Sequence, residues 1–243
     1  MSWRTFSLHF KQTYEGGYRY LDRCGEFMIE AVERLDFIPG DIKPTGAKLE
    51  IPEKGIVANV DSQELIVRQD LPEDDGRLFF ETSQQLAGLA VKHFSPKRIQ
   101  KSGFANKLYW RMSSSEAALN ASLALGDKFH LELANLVGMV PTRKGWDCHF
   151  TSGNMDFHVV VQPVTFEKVT LHKHTADFQA SPLQRQRVER LNLNTQRFQG
   201  DFSHALMLEL DLVEFDPPEQ SLPKHFAELK QKSTLLVQKF QIP

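Results

Sequence analysis

Apolar residues recur along this chain with two different periods, and the switches between them predict its elements. Near the start Phe6, Leu8 and Phe10 alternate with Ser7 and His9, the period of a strand. From Tyr20 the spacing lengthens to three and four through Leu21, Cys24, Phe27, Met28, Ala31, Val32 and Leu35, which predicts an amphipathic helix ending before Pro39 and Gly40. Ile56 to Val60 and Leu65 to Val67 then read as a hairpin around the polar turn Asp61-Ser62-Gln63-Glu64. A second helix is predicted over 77–94 through Phe79, Ser83, Leu86, Ala87, Ala90 and Phe94, stopped by Ser95 and Pro96.

A long strand follows, with Phe104, Leu108, Trp110 and Met112 on one face and Lys101, Lys107, Tyr109 and Arg111 on the other. Ser113, Ser114 and Ser115 offer N-caps for a short helix through Leu119 and Leu123, while 129–136 fits either period. Residues 146–150 and 157–169 predict a second hairpin about Ser152-Gly153-Asn154, with Pro163 weakening its interior or marking an edge. The polar, Arg-rich stretch 180–198 has no dominant period. Leu206, Leu208, Leu210 and Leu212 alternate with Glu209 and Asp211 in the most regular strand, ended by Pro217 and Pro218. Ser221 can cap a final helix with the stripe Leu222, Phe226, Leu229, Ser233, Leu236, Val237 and Phe240.

These elements predict an α+β protein with a mainly antiparallel sheet and packed helices. Each half, 1–113 and 114–243, holds a hairpin followed later by one long strand, which suggests a diverged internal duplication, whether the halves are separate or form one continuous domain. The helix leading into Arg98-Ile99, the strand to Arg111, and Leu208-Glu209-Leu210-Asp211-Leu212 before a terminal helix resemble a sporadically distributed family of uncharacterised bacterial proteins of about 250 residues. That resemblance implies no catalytic residues.

Charge adds a register. Residues 82–115 hold Lys92, Lys97, Arg98, Lys101, Lys107 and Arg111 without an acid, and 198–222 hold six acids without Lys or Arg. The two strands are therefore expected to be neighbours, with Lys107 or Arg111 near Glu209 or Asp211, since opposite charges facing across strands help to set register. A net charge of -2 gives no global attraction to nucleic acid or anionic membrane. Cys24 and Cys148 suit small buried hydrophobes in a reducing compartment, and no apolar run reaches a membrane span, so a cytoplasmic protein is expected.

Candidate chemistry is sparse. His93-Phe94-Ser95 and His149-Phe150-Thr151 share the His, any residue, Ser or Thr spacing of two-histidine phosphoesterases, making His93 and His149 candidate acid–base groups, although His93 ends a predicted helix. His172 and His174 would share one face of an extended segment and are the metal candidates, set against ordinary surface histidines. Asp70, Glu73, Asp74 and Asp75 flank Pro72 and Gly76 and read as a solvated turn. Lys101, Lys107, Tyr109 and Arg111 would alternate along about 35 Å of strand, long enough to follow a nucleic-acid backbone. The expected function is a non-catalytic binding or regulatory protein that engages another protein and needs no cofactor. The alternative is a nucleic-acid-binding or RNA-processing protein using that basic strand.

Overall fold

The computed structural model describes residues 3–17, 19–43, 46–72, 76–122, 124–125, 147–165, 204–217 and 222–239. It shows an α+β fold built on one nine-stranded antiparallel sheet. The strands are β1 (Arg4–Glu15), β2 (Ile38–Lys43), β3 (Gly46–Ile51), β4 (Ile56–Val60), β5 (Glu64–Asp70), β6 (Arg98–Met112), β7 (Asp147–Ser152), β8 (Met155–Thr165) and β9 (His204–Phe215). Their spatial order is β2-β3-β4-β5-β1-β6-β9-β8-β7, so the pairing of β6 with β9 joins strands from both halves of the chain. The long helices are α1 (Tyr20–Leu35), α2 (Arg77–Phe94) and α3 (Leu222–Lys239).

All three helices pack on one face of the sheet. That face carries the even-numbered apolar positions of β6 and the leucines of β9, and Phe10, Phe27, Phe79, Phe94, Phe104, Leu212, Phe226 and Leu229 are buried together there. A second cluster continues it through Leu108, Val159, Val161, Leu206, Leu208 and Leu210, covered by Leu125 and Ala121 of a short helical segment. Ser114 Oγ accepts from Ala117 N at 3.0 Å and caps that segment.

The stripe of α3 breaks at Ser233 because that residue has a polar partner. Asn106, on the covered face of β6, donates from Nδ2 to Ser233 Oγ at 2.6 Å with both side chains buried. A paired polar contact of this kind costs little, whereas either group alone in the core would keep its full desolvation penalty. About two turns earlier His225 lies buried 3.4 Å from Glu214 of β9, and its burial pulls the imidazole below its ordinary pKa.

Two strands lie where the sequence pattern predicts none. β2 contains Pro39 and Gly40, residues that read as helix-stop and loop signals, but it is an edge strand with an irregular register between Pro39 and Ile42. An edge tolerates proline because one side of the strand needs no ladder donor. β3 does alternate, with Ala47, Leu49 and Ile51 buried. The segments 129–136 and 180–198, and the metal candidates His172 and His174, lie outside the described residues.

Candidate functional site

On the sheet face opposite the helices the described residues form a cleft of about 910 Å³. Strand register builds it. One transverse row runs Arg68, His9, Ala105, Asp211, His158, His149 across six strands, each member directly opposite the next. A neighbouring row places Lys107 against Glu209, and another places Lys11 against Gly103. Gly103 and Ala105 have almost no side chain, so the middle of the face is a hollow between longer flanking groups.

The expected charge pairing is present. Lys107 Nζ lies 2.8 Å from Glu209 Oε2, and Lys101 Nζ sits 4.9 Å from the centroid of the Phe215 ring. Arg98 Nε donates to Glu15 Oε2 at 2.8 Å. Beyond Lys107, Tyr109 is only 7 % exposed and packs with Phe6, Ala205 and Met207. The expectation that Tyr109 presents an aromatic surface to water or a partner is therefore corrected: the open face becomes apolar at that end and buries the ring. Arg111 stands opposite Ala205 in the same stretch.

His149 faces His158 across the β7–β8 hairpin, with ring centroids 5.9 Å apart and the planes nearly perpendicular. His158 Nε2 lies 2.5 Å from Asp147 Oδ1, and His149 Nε2 lies 3.6 Å from Asp156 Oδ2. On the other wall burial, and then the nearby Arg68 charge, hold the His9 imidazole below its ordinary pKa. Asp211 shifts the other way: burial raises its carboxyl pKa, Glu209 adds to this, and His158 and His149 oppose it. No group of three or more His, Cys, Asp or Glu among the described residues is arranged to hold a metal ion.

His93 does not join His149. It lies on α2, under the opposite face, where its Nε2 is 2.7 Å from Glu30 Oε2 of α1. Lys92 Nζ approaches the same oxygen at 2.6 Å and Arg34 Nη1 reaches Oε1 at 2.8 Å. The candidacy of His93 as an acid–base group in one site with His149 is thereby corrected; it ties α1 to α2. The hydrogen bonds from Lys92 and His93 hold Glu30 well below the usual carboxylate range, at about 2, against the opposing effect of burial. Because the folded pKa is depressed, this tie is complete above the ordinary carboxylate pKa and is lost as pH falls toward 2. Glu30→Gln should therefore flatten the acid limb of a stability-against-pH curve below pH 5, which thermal melts across that window would measure.

A different surface lies along the outer side of α1. Leu21 is 71 % exposed, Ile29 59 % and Val32 37 %, and with Cys24, Gly25, Met28 and Pro39 they line a groove of about 770 Å³ between α1 and edge strand β2. Positions 21, 25, 28, 29 and 32 share one helix face by their spacing. A Cβ placed on Gly25 would meet nothing within 4 Å, so this turn has room for close approach by another backbone. Arg23 pairs with Glu26 and Arg34 with Glu30, but the exposed Asp22 and Glu33 have no ion pair among the described residues. Periodicity alone assigns Leu21 and Val32 to the core, because a stripe on a helix does not reveal how wide a sector the sheet will cover.

No family model and no curated protein matches this chain. Among the described residues no helix is long and apolar enough to cross a membrane.

Proposed function

We propose that this protein is a non-catalytic, cytoplasmic binding protein that engages another protein through the outer face of α1. The observation that carries this reading is the exposed row Leu21, Ile29 and Val32, continuous with the groove against β2. Contiguous exposed apolar surface costs solubility and commonly marks an interaction site. The shape fits an amphipathic helix laid in a groove, read by anchors at helical spacing. Uncompensated Asp22 and Glu33 beside the apolar row favour a partner helix with Lys or Arg along its flanks, where opposite charges steer encounter.

The nucleic-acid alternative draws less support. Lys107 is already paired with Glu209 and Tyr109 is buried, so the basic strand offers less open charge than its sequence suggests and not the stacking aromatic that such a surface uses.

Calorimetric titration with amphipathic helical peptides flanked by Lys tests the reading. The native protein should bind them with micromolar Kd, and Leu21→Ser with Ile29→Ser should remove binding without lowering the melting temperature. Sedimentation separates the competing occupant: a native dimer that becomes a monomer in the double variant would assign this face to a second copy and overturn the proposal.

A further inference from the structure

Among the described residues, the cleft on the open sheet face holds one carboxylate to which the fold gives no ion pair. Lys11 pairs with Glu64 at 2.7 Å, Lys107 with Glu209 at 2.8 Å, His158 with Asp147 at 2.5 Å and His149 with Asp156 at 3.6 Å. Lys101 lies over the Phe215 ring, and His9 Nε2 is 3.0 Å from Ser7 Oγ. Among the described carboxylates lining the cleft, Asp211 alone has neither an ion pair nor a hydrogen bond. It is also at the centre of the transverse row, directly opposite Ala105 on one side and His158 on the other.

A partly buried carboxylate without a hydrogen-bonded partner forfeits hydration, and His158 and His149 offset that loss only in part. Burial accordingly raises the Asp211 carboxyl above its ordinary pKa. The space beside it is unfilled because Ala105 and, one position along the same face, Gly103 present no bulk. His9 lies two strands away, about 10 Å across the sheet, so a short alkyl chain fits between them over Ala105.

We propose that Asp211 is the anchor of a ligand site in this cleft and takes a primary ammonium or guanidinium cation, with the attached alkyl chain lying over Ala105 and Gly103. A metal ion does not suit the place, since no third donor converges there. An organic cation does, because it needs one charge-assisted hydrogen bond and room for its chain. The chemistry has two sources, a free polyamine or a Lys or Arg side chain of a peptide. The site is separate from the α1 groove and stands or falls independently of it.

Amide chemical-shift titrations of the full chain with spermidine, and separately with a capped tripeptide centred on Arg, test the site. Either probe should shift Ala105, Asp211 and His158 saturably, and the probe that binds more tightly identifies the source. Asp211→Asn should weaken that binding by about ten- to a hundredfold, the usual effect of a charge-assisted hydrogen bond. Ala105→Leu should block it with the carboxylate intact, which keeps the test open if the Asn variant does not fold. Saturable binding undiminished in either folded variant, or no saturable shift with either probe, would overturn the proposal.

Discussion

Replacing Phe226 by Ala is expected to destabilise the folded monomer by about 3–5 kcal/mol, the usual cost of truncating a buried Phe. The ring is fully enclosed, with Phe10 and Phe104 centroids 5.2 and 5.0 Å away. Those partners belong to β1 and β6 of the first half, while α3 follows β9 of the second, so the ring ties sequence-distant elements through one contact cluster. The loss combines the transfer free energy of the ring with a cavity that the two neighbouring rings and the sheet backbone cannot close. Urea denaturation should show a lower midpoint at unchanged slope, which identifies lost stability rather than a changed unfolded state. Sedimentation should show no change in assembly. An oligomer that dissociates to a folded monomer would place Phe226 in an interface instead.

Gly103→Val should be the most damaging change on the opposite face. A Cβ at this position would sit 2.5 Å from the Leu212 carbonyl oxygen and 3.1 Å from the Val213 Cα. Both are backbone atoms of β9, so relief requires the β6–β9 pairing itself to move. Overpacking ordinarily costs about 1–3 kcal/mol, and a clash with paired backbone belongs at or above the top of that range. Valine's preference for strands would not offset it, because the obstacle is the neighbouring strand and not local conformation. Gly88→Ala in α2 is the control: nothing lies within 4 Å of the added Cβ, and alanine is the better helix former. The control should melt no lower than the native chain and Gly103→Val well below it. Equal melting temperatures would show that the central seam yields more easily than its geometry implies.

Local period made much of this fold legible. α2 spans the predicted 77–94, and the alternation of β6 and β9 assigns their buried leucines and phenylalanines correctly. The β6–β9 register was foreshadowed by charge, since Lys107 meets Glu209 head on. The polar defects were harder. Asn106 and Ser233 each interrupt an apolar stripe, and only the packing of α3 over β6 shows that they answer each other. β2 stayed hidden because Pro39 and Gly40 are breakers everywhere except at an edge.

The cleft was legible only in part. Its hairpin register follows from the turn: once Gly153 and Asn154 are the corner, Ser152 faces Met155 and His149 must face His158. Nothing local brings His9 into the same row. That requires knowing that β1 inserts between β5 and β6, a choice made by long-range burial of Phe10 and Leu8 against the helices. His93 misled for the opposite reason, since its tripeptide matches a strand motif while its helix turns the imidazole toward Glu30. Asp211 was read as a partner for the basic strand, but Ala105 stands opposite it and the charge is left over.

The direct test of the account is a pair of anisotropy titrations at low ionic strength, one with a labelled Lys-flanked amphipathic peptide and one with a labelled single-stranded RNA. The account predicts saturable peptide binding that Leu21→Ser with Ile29→Ser abolishes, and no RNA binding above background. RNA binding that weakens steeply with salt and is lost on replacing Lys101, Lys107 and Arg111 by Ala, with the peptide left unbound, would contradict it.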